Sequence, residues 1–311
     1  MLVSIAVSVR PLGSFEDFGA LFFVAAYTLF NVLPQKLGTN LLVSCCVLLL
    51  VCSWILFLLD IGQFQGPTGV RVSGIYYSPN ALYPLVSLFI IVFTIPLQQE
   101  LEGDDKPQKW ASVTAFIVLV ALLIATQSRA GLVSICLITL YLAVRTKSFP
   151  AKVLLSLTSL FTLCATILRS FYARTDGVVD GSIAGRMSIW LDSYNTFSQR
   201  HLFGWGDNAF YLYVGDWSES VLRPVEPKNL YLHFLLEGGL FSLLTFLIAF
   251  SFFIRFLAKR GRYDYRFSAI GILSVLFILM AGFADVPVFA DVSRLPATVL
   301  FACICGLCFR K

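Results

Sequence analysis

Charge is the scarcest thing in this chain. Only 13% of its 311 residues are Asp, Glu, Lys or Arg, where soluble domains carry roughly 25%. Together with 58% hydrophobic residues, this excludes a soluble globular protein and implies a polytopic α-helical membrane protein. Cysteine is missing from the exposed segments. Cys45, Cys46, Cys52, Cys136, Cys164, Cys303, Cys305 and Cys308 all lie in apolar runs, so no disulfide framework is indicated. No histidine or carboxylate accompanies Cys303, Cys305 and Cys308, which therefore read as small core residues and not as a metal site. No repeat of solenoid length recurs, so stacked-repeat folds are excluded. A basic region is lacking before the apolar run at 2–9, which makes it a poor signal peptide. It reads instead as the remnant of one further helix upstream.

What is present is a succession of apolar runs near bilayer length. Spans are expected at 18–33, 40–59, 80–97, 110–126, 130–144, 152–168, 230–256, 267–284 and 295–309. This makes an all-α integral membrane protein of about nine spans. It divides into an N-terminal bundle (1–168), a long loop (169–229) and three C-terminal spans (230–311), joined in one membrane domain. Lys and Arg crowd RTKSFPAK and RFLAKRGRYDYR, whereas the short segments on the other side hold Arg10, Arg71, Arg129 and Arg294. The positive-inside bias therefore places the 169–229 loop outside the cytoplasm. The net charge of +5 follows from this asymmetry and calls for no nucleic acid.

The long loop is not filler. Ile183, Met187, Trp190, Tyr194 and Phe197 recur at helical spacing, predicting an amphipathic helix over 182–199 that lies on the outer leaflet or over the bundle mouth. Four polar features share the outer side: TQSRAG at 126–131, GRMSIW with Arg186, RHLFGWG with His201, and KNLYLHFLLEGG. An arginine there can grip phosphate oxygens with a permanent charge and a planar fork. Arg129 alone is equally a snorkelling helix-end residue; with Arg186 on the same side, a diphosphate-binding pair is the better reading. Arg200 and Arg223 read as ordinary loop charges. Asn229, His233 and Glu237 are spaced by four, about 40° apart per step, and form one stripe reaching about 12 Å down a helix into the membrane. His233 and Glu237 are also readable as a structural pair. Gly238 and Gly239 would permit close approach of a helix or a lipid chain. Asn80, after Pro79, either caps a helix or touches a ligand.

SPNAL, ATQSRAGLVSI, GRMSIWLDSYNTFSQRHLFGWG and KNLYLHFLLEGGL occur in an order that resembles the O-antigen ligase and O-antigen polymerase family of bacterial membrane glycosyltransferases, over roughly residues 75–250. The resemblance implies a GT-C-like membrane fold and a donor glycan on a polyprenyl diphosphate. The acceptor would be another lipid-linked glycan or a lipid A core, and the reaction would take place at the outer face of the cytoplasmic (inner) membrane. It maps Arg129 and Arg186 onto diphosphate-binding arginines and makes Ser128, Asn80, Asn229 and His233 substrate contacts. No nucleotide, metal or other cofactor is implied, since the diphosphate is itself a good leaving group. Trp205, Tyr211 and Trp217 are candidates to stack on sugars or to pack the loop.

One departure stands out: Lys228 occupies the position where the family usually has histidine. A lysine ordinarily keeps its proton at neutral pH, so it serves as a base only where its surroundings strip that proton, and otherwise adds positive charge for the diphosphate. Glu237 and His201 are the other candidate bases. The expected function is surface polysaccharide polymerisation, with ligation to lipid A core as the alternative. A polysaccharide or lipid transporter, or an inactive family member, forms a separate class. A transporter should show repeated halves and polar groups at mid-membrane, and the sequence shows neither.

Overall fold

The computed structural model describes residues 15–59, 63–66, 69–73, 79–102, 106–175, 184–206, 209–213, 227–261, 265–287 and 295–309. The helices are Phe15–Val32 (α1), Gln35–Leu58 (α2), Pro79–Glu102 (α3), Lys106–Thr126 (α4), Arg129–Arg145 (α5), Phe149–Thr175 (α6), Ala184–Gln199 (α7), Ala209–Tyr213 (α8), Leu230–Arg260 (α9), Tyr265–Gly282 (α10) and Leu295–Phe309 (α11). Every stretch expected to span is helical. Helical segments Leu37–Leu56, Phe149–Ser170, Leu230–Arg260 and Tyr265–Gly282 are long and apolar enough to cross a membrane. The apolar stretches Phe23–Val32, Pro79–Ile95, Ser112–Thr126 and Pro296–Phe309 are shorter than the roughly 20 residues a perpendicular crossing takes. The helix surfaces carry exposed Leu137, Leu140, Val144, Leu157, Leu160 and Phe161, an apolar skin suited to lipid. The protein is a multi-pass membrane protein.

One element departs from the all-α expectation. Gln63–Gly66 (β1) and Gly69–Val72 (β2) form an antiparallel hairpin, with Phe64 opposite Arg71. It lies in the connection between α2 and α3.

The helices are joined by small residues and hydroxyls, as expected where lipid removes the hydrophobic drive between helices. Thr139 of α5 and Ser159 of α6 lie 2.8 Å apart as a hydroxyl pair, and Cys136 donates to the Ser159 carbonyl at 3.4 Å. On α11, a side chain on Gly306 would lie 2.6 Å from the Tyr27 carbonyl of α1, so only glycine allows these backbones to meet. Cys308 donates to the Phe267 carbonyl of α10 at 3.0 Å, a packing role for a buried thiol.

The decisive feature is a break in α9. Gly239 has φ 66 and ψ −164, a conformation essentially reserved for glycine. Phe234 and Phe246 lie on opposite sides of it, and their rings stack with centroids 4.4 Å apart. In a straight helix, twelve residues would separate them by about 18 Å. Residues 230–238 therefore fold back against the long limb and do not continue its line. The expected uninterrupted span over 230–256 is corrected accordingly: it is two limbs, and Asn229, His233 and Glu237 share the short one.

A turn of the long loop fills this break. Trp205 and Gly206 donate their backbone N–H to the carbonyls of Leu236 (2.7 Å) and Glu237 (2.9 Å). Leu240 and Phe241 donate to the carbonyls of His201 (2.8 Å) and Leu202 (3.3 Å). Backbone groups orphaned by the broken helix are thus satisfied by the loop. Gly204 (φ 68) and Gly239 are the two points where a Cβ would meet the partner backbone within 2.5 Å.

Candidate functional site

The turn carrying Arg129 is built by its neighbours. α4 stops at Thr126, whose hydroxyl donates back to the Leu123 carbonyl at 2.7 Å. Gln127 adopts φ 53, an uncommon conformation for a residue with a side chain. Ser128 then caps α5, accepting from the Gly131 N–H, so that Arg129 begins the helix. Gly131 is required because a Cβ there would lie 2.6 Å from the Tyr83 ring of α3. Arg129 therefore sits half-buried at the positive end of a 17-residue helix, where backbone dipole and guanidinium favour the same anion. Ser128, expected to contact substrate, is placed first of all as the cap.

The sequence reading overlooked Arg71. This residue is buried (9% exposed) and reaches from β2 to donate Nε–H to the Thr126 carbonyl at 2.9 Å. Its Nη2 donates to Asn80 Oδ1 at 3.2 Å. Asn80, in the first turn of α3, is thus engaged by an arginine.

A second knot lies where α10 ends. Arg186 of α7 donates Nη1–H to the Ala284 carbonyl. Asn229 donates Nδ2–H to the Phe283 carbonyl at 3.1 Å, while its Oδ1 accepts from the N–H groups of Tyr231 and Leu232 and caps α9. Tyr231 donates its hydroxyl to the Leu279 carbonyl at 2.7 Å. Asp285, with 2% exposure, accepts from the Val286 N–H. α5 and α10 pack on each other, so Arg129 and the turn that holds Arg186 belong to neighbouring helices.

His233 Nε2 and Glu237 Oε2 lie 3.4 Å apart, so the two groups read alternatively as a pair are brought together. The His233 side chain is 7% exposed and that of Glu237 is 15%. Lys228, half-buried, precedes the Asn229 cap with φ 52. His201 is exposed, and its carbonyl is tied to Leu240 just beyond the break. His201 and Glu237 thus flank the same joint.

The aromatic candidates divide. The indole of Trp205 lies 4.6 Å from the Tyr213 ring and 4.4 Å from the Arg200 guanidinium, and its N–H bonds the Thr196 carbonyl. Those contacts make it a packing residue of the loop. Tyr211 has no side-chain placement to describe, and Trp217 and Arg223 lie outside the described residues. On α7 the expected apolar stripe faces outward at Met187 and Tyr194. Met187, Leu191 and Tyr194 are exposed (63%, 61% and 56%), whereas Ser193 and Thr196 are buried. Ile183 lies outside the described residues. Among the described residues, no three His, Cys, Asp or Glu side chains gather as a metal site.

The segment that holds most of these groups can be compared with known proteins. Residues 114–247 match the family model described as O-antigen ligase. Over this segment the chain is similar to the O-antigen ligase family. The segment contains Ser128, Arg129, Arg186, His201, Lys228, Asn229, His233 and Glu237. Asn80, Arg71 and the turn at 283–285 lie outside it. No curated protein matches the chain. The O-antigen ligase assignment supports a glycosyltransferase-like role in surface polysaccharide synthesis at a membrane.

Proposed function

We propose that the protein transfers a glycan from a polyprenyl diphosphate to an acceptor sugar hydroxyl at the outer face of the cytoplasmic membrane, extending a surface polysaccharide. The observation that carries this reading is the position of Arg129. A fixed cation begins a helix within the O-antigen ligase segment, and that helix packs on the one whose end holds Arg186.

In the proposed step the acceptor oxygen attacks the anomeric carbon, and the bond from that carbon to the diphosphate oxygen breaks. Arg129 and Arg186 stabilise the negative charge growing on the leaving diphosphate. Glu237, held by His233, takes the proton from the acceptor hydroxyl. Lys228 lies beside the short limb of α9, just before the Asn229 cap, where its side chain can reach the diphosphate. Because the diphosphate leaves readily, the step calls for neither metal nor nucleotide.

The family description favours a second reading, ligation to lipid A core. The test incubates purified protein with a polyprenyl-diphosphate repeat unit, with and without lipid A core. A ladder of longer lipid-linked glycans without core supports polymerisation, and transfer only to core supports ligation. No transfer under either condition contradicts the proposal.

A further inference from the structure

We infer that Arg71 is a positioning residue for diphosphate binding, acting through the turn that aims Arg129. This rests on the assignment of Arg129 to the diphosphate. Arg71 comes from the hairpin, outside the O-antigen ligase segment, yet it meets the Arg129 turn at its origin. Its Nε–H holds the last carbonyl of α4, at Thr126, and its Nη2 is anchored on Asn80 of α3. Two residues, Gln127 and Ser128, separate Thr126 from Arg129, and their conformation leaves little slack. Gln127 is in the left-handed region, the Ser128 N–H reaches back to the Thr126 hydroxyl at 3.3 Å, and Ser128 caps α5.

The location suits a cation for another reason. The carbonyl end of α4 carries partial negative charge, which Arg71 neutralises where the incoming ligand is itself an anion. Two bonds in different directions from one planar group fix the orientation of the turn, which a lysine ammonium on a flexible stem cannot reproduce. Arg71 has its Nε and Nη2 committed to protein acceptors; its effect on the ligand is therefore transmitted by the turn.

The test is a double-mutant cycle on binding. The probe is undecaprenyl diphosphate without glycan, titrated into full-length protein in nanodiscs. Arg129→Ala should weaken binding at least about tenfold, and Arg71→Ala by a comparable factor, roughly the value of a charge-assisted contact. The double variant should bind no more weakly than Arg129→Ala alone, and Arg71→Lys should not rescue. Where Arg71→Ala does not fold, Arg71→Lys and Asn80→Ala complete the same cycle, each predicted to be silent in the Arg129→Ala background. Additive losses, or wild-type affinity in the Arg71 variants beside a weakened Arg129→Ala, overturn the inference alone. Wild-type affinity in Arg129→Ala overturns the diphosphate assignment and the inference with it.

Discussion

Glu237 and His233 show how far single residues could be read in advance. Their spacing by four predicted one face, and the structure brings them to 3.4 Å. The Glu237 side chain is the more exposed of the two, which suits the role of base proposed for it. Glu237→Gln keeps the shape and removes the proposed base, so transfer should fall by about a hundredfold or more while undecaprenyl diphosphate binds as before. His233→Ala should cost less, because it loosens the carboxylate without removing it. Comparing kcat with the dissociation constant for the two variants checks both expectations. Arg71 was beyond reach of the sequence for a physical reason. Its partner Thr126 is 55 positions away, and no local pattern reports a contact of that range. Its charge entered the reading only as one outside cation among four.

At the scale of elements, the two glycine motifs were legible as points of close approach, but their partner was not. HLFGWG and LLEGGL each need glycine because each meets the other's backbone. The hydrophobic run passes through Gly239 without interruption, so periodicity predicted one helix where there are two limbs. Gly239→Ala would force a Cβ to within 2.3 Å of the Leu202 carbonyl at a backbone conformation costing about 1–3 kcal/mol on its own. The expected result is a lower thermal midpoint and faster amide exchange in 200–206. Gly204→Ala, on the opposite side of the joint, should behave the same way. On α7 the expected stripe points away from the protein at Met187 and Tyr194. Met187, Leu191 and Tyr194 face outward because Ser193 and Thr196 turn toward the protein. A nitroxide at position 191 should be more accessible to oxygen than to a water-soluble nickel chelate, with the reverse at Ser198.

Across the whole molecule, length and composition made the multi-pass helical architecture legible, since apolar runs of this size have few other outlets. The hairpin was not legible, because its strands are four residues each and the alternation in QFQ and VRV is too short to announce them. The proposed orientation is set by charge bias, and it predicts that an impermeant maleimide labels Ser198→Cys in intact cells. Lys147→Cys, in a cysteine-free background, should react only after permeabilisation. That result would place the two arginine-bearing turns on the side where a flipped lipid-linked glycan is found. The central claim, however, is that these arginines serve its diphosphate. The most direct measurement is transfer from a polyprenyl-diphosphate glycan by Arg129→Ala and Arg186→Ala, with Arg200→Ala as the comparison because its guanidinium lies on Trp205. Loss of transfer by at least about a hundredfold in the first two, with near wild-type transfer in the third, is the predicted result; full transfer by Arg129→Ala and Arg186→Ala would contradict the account.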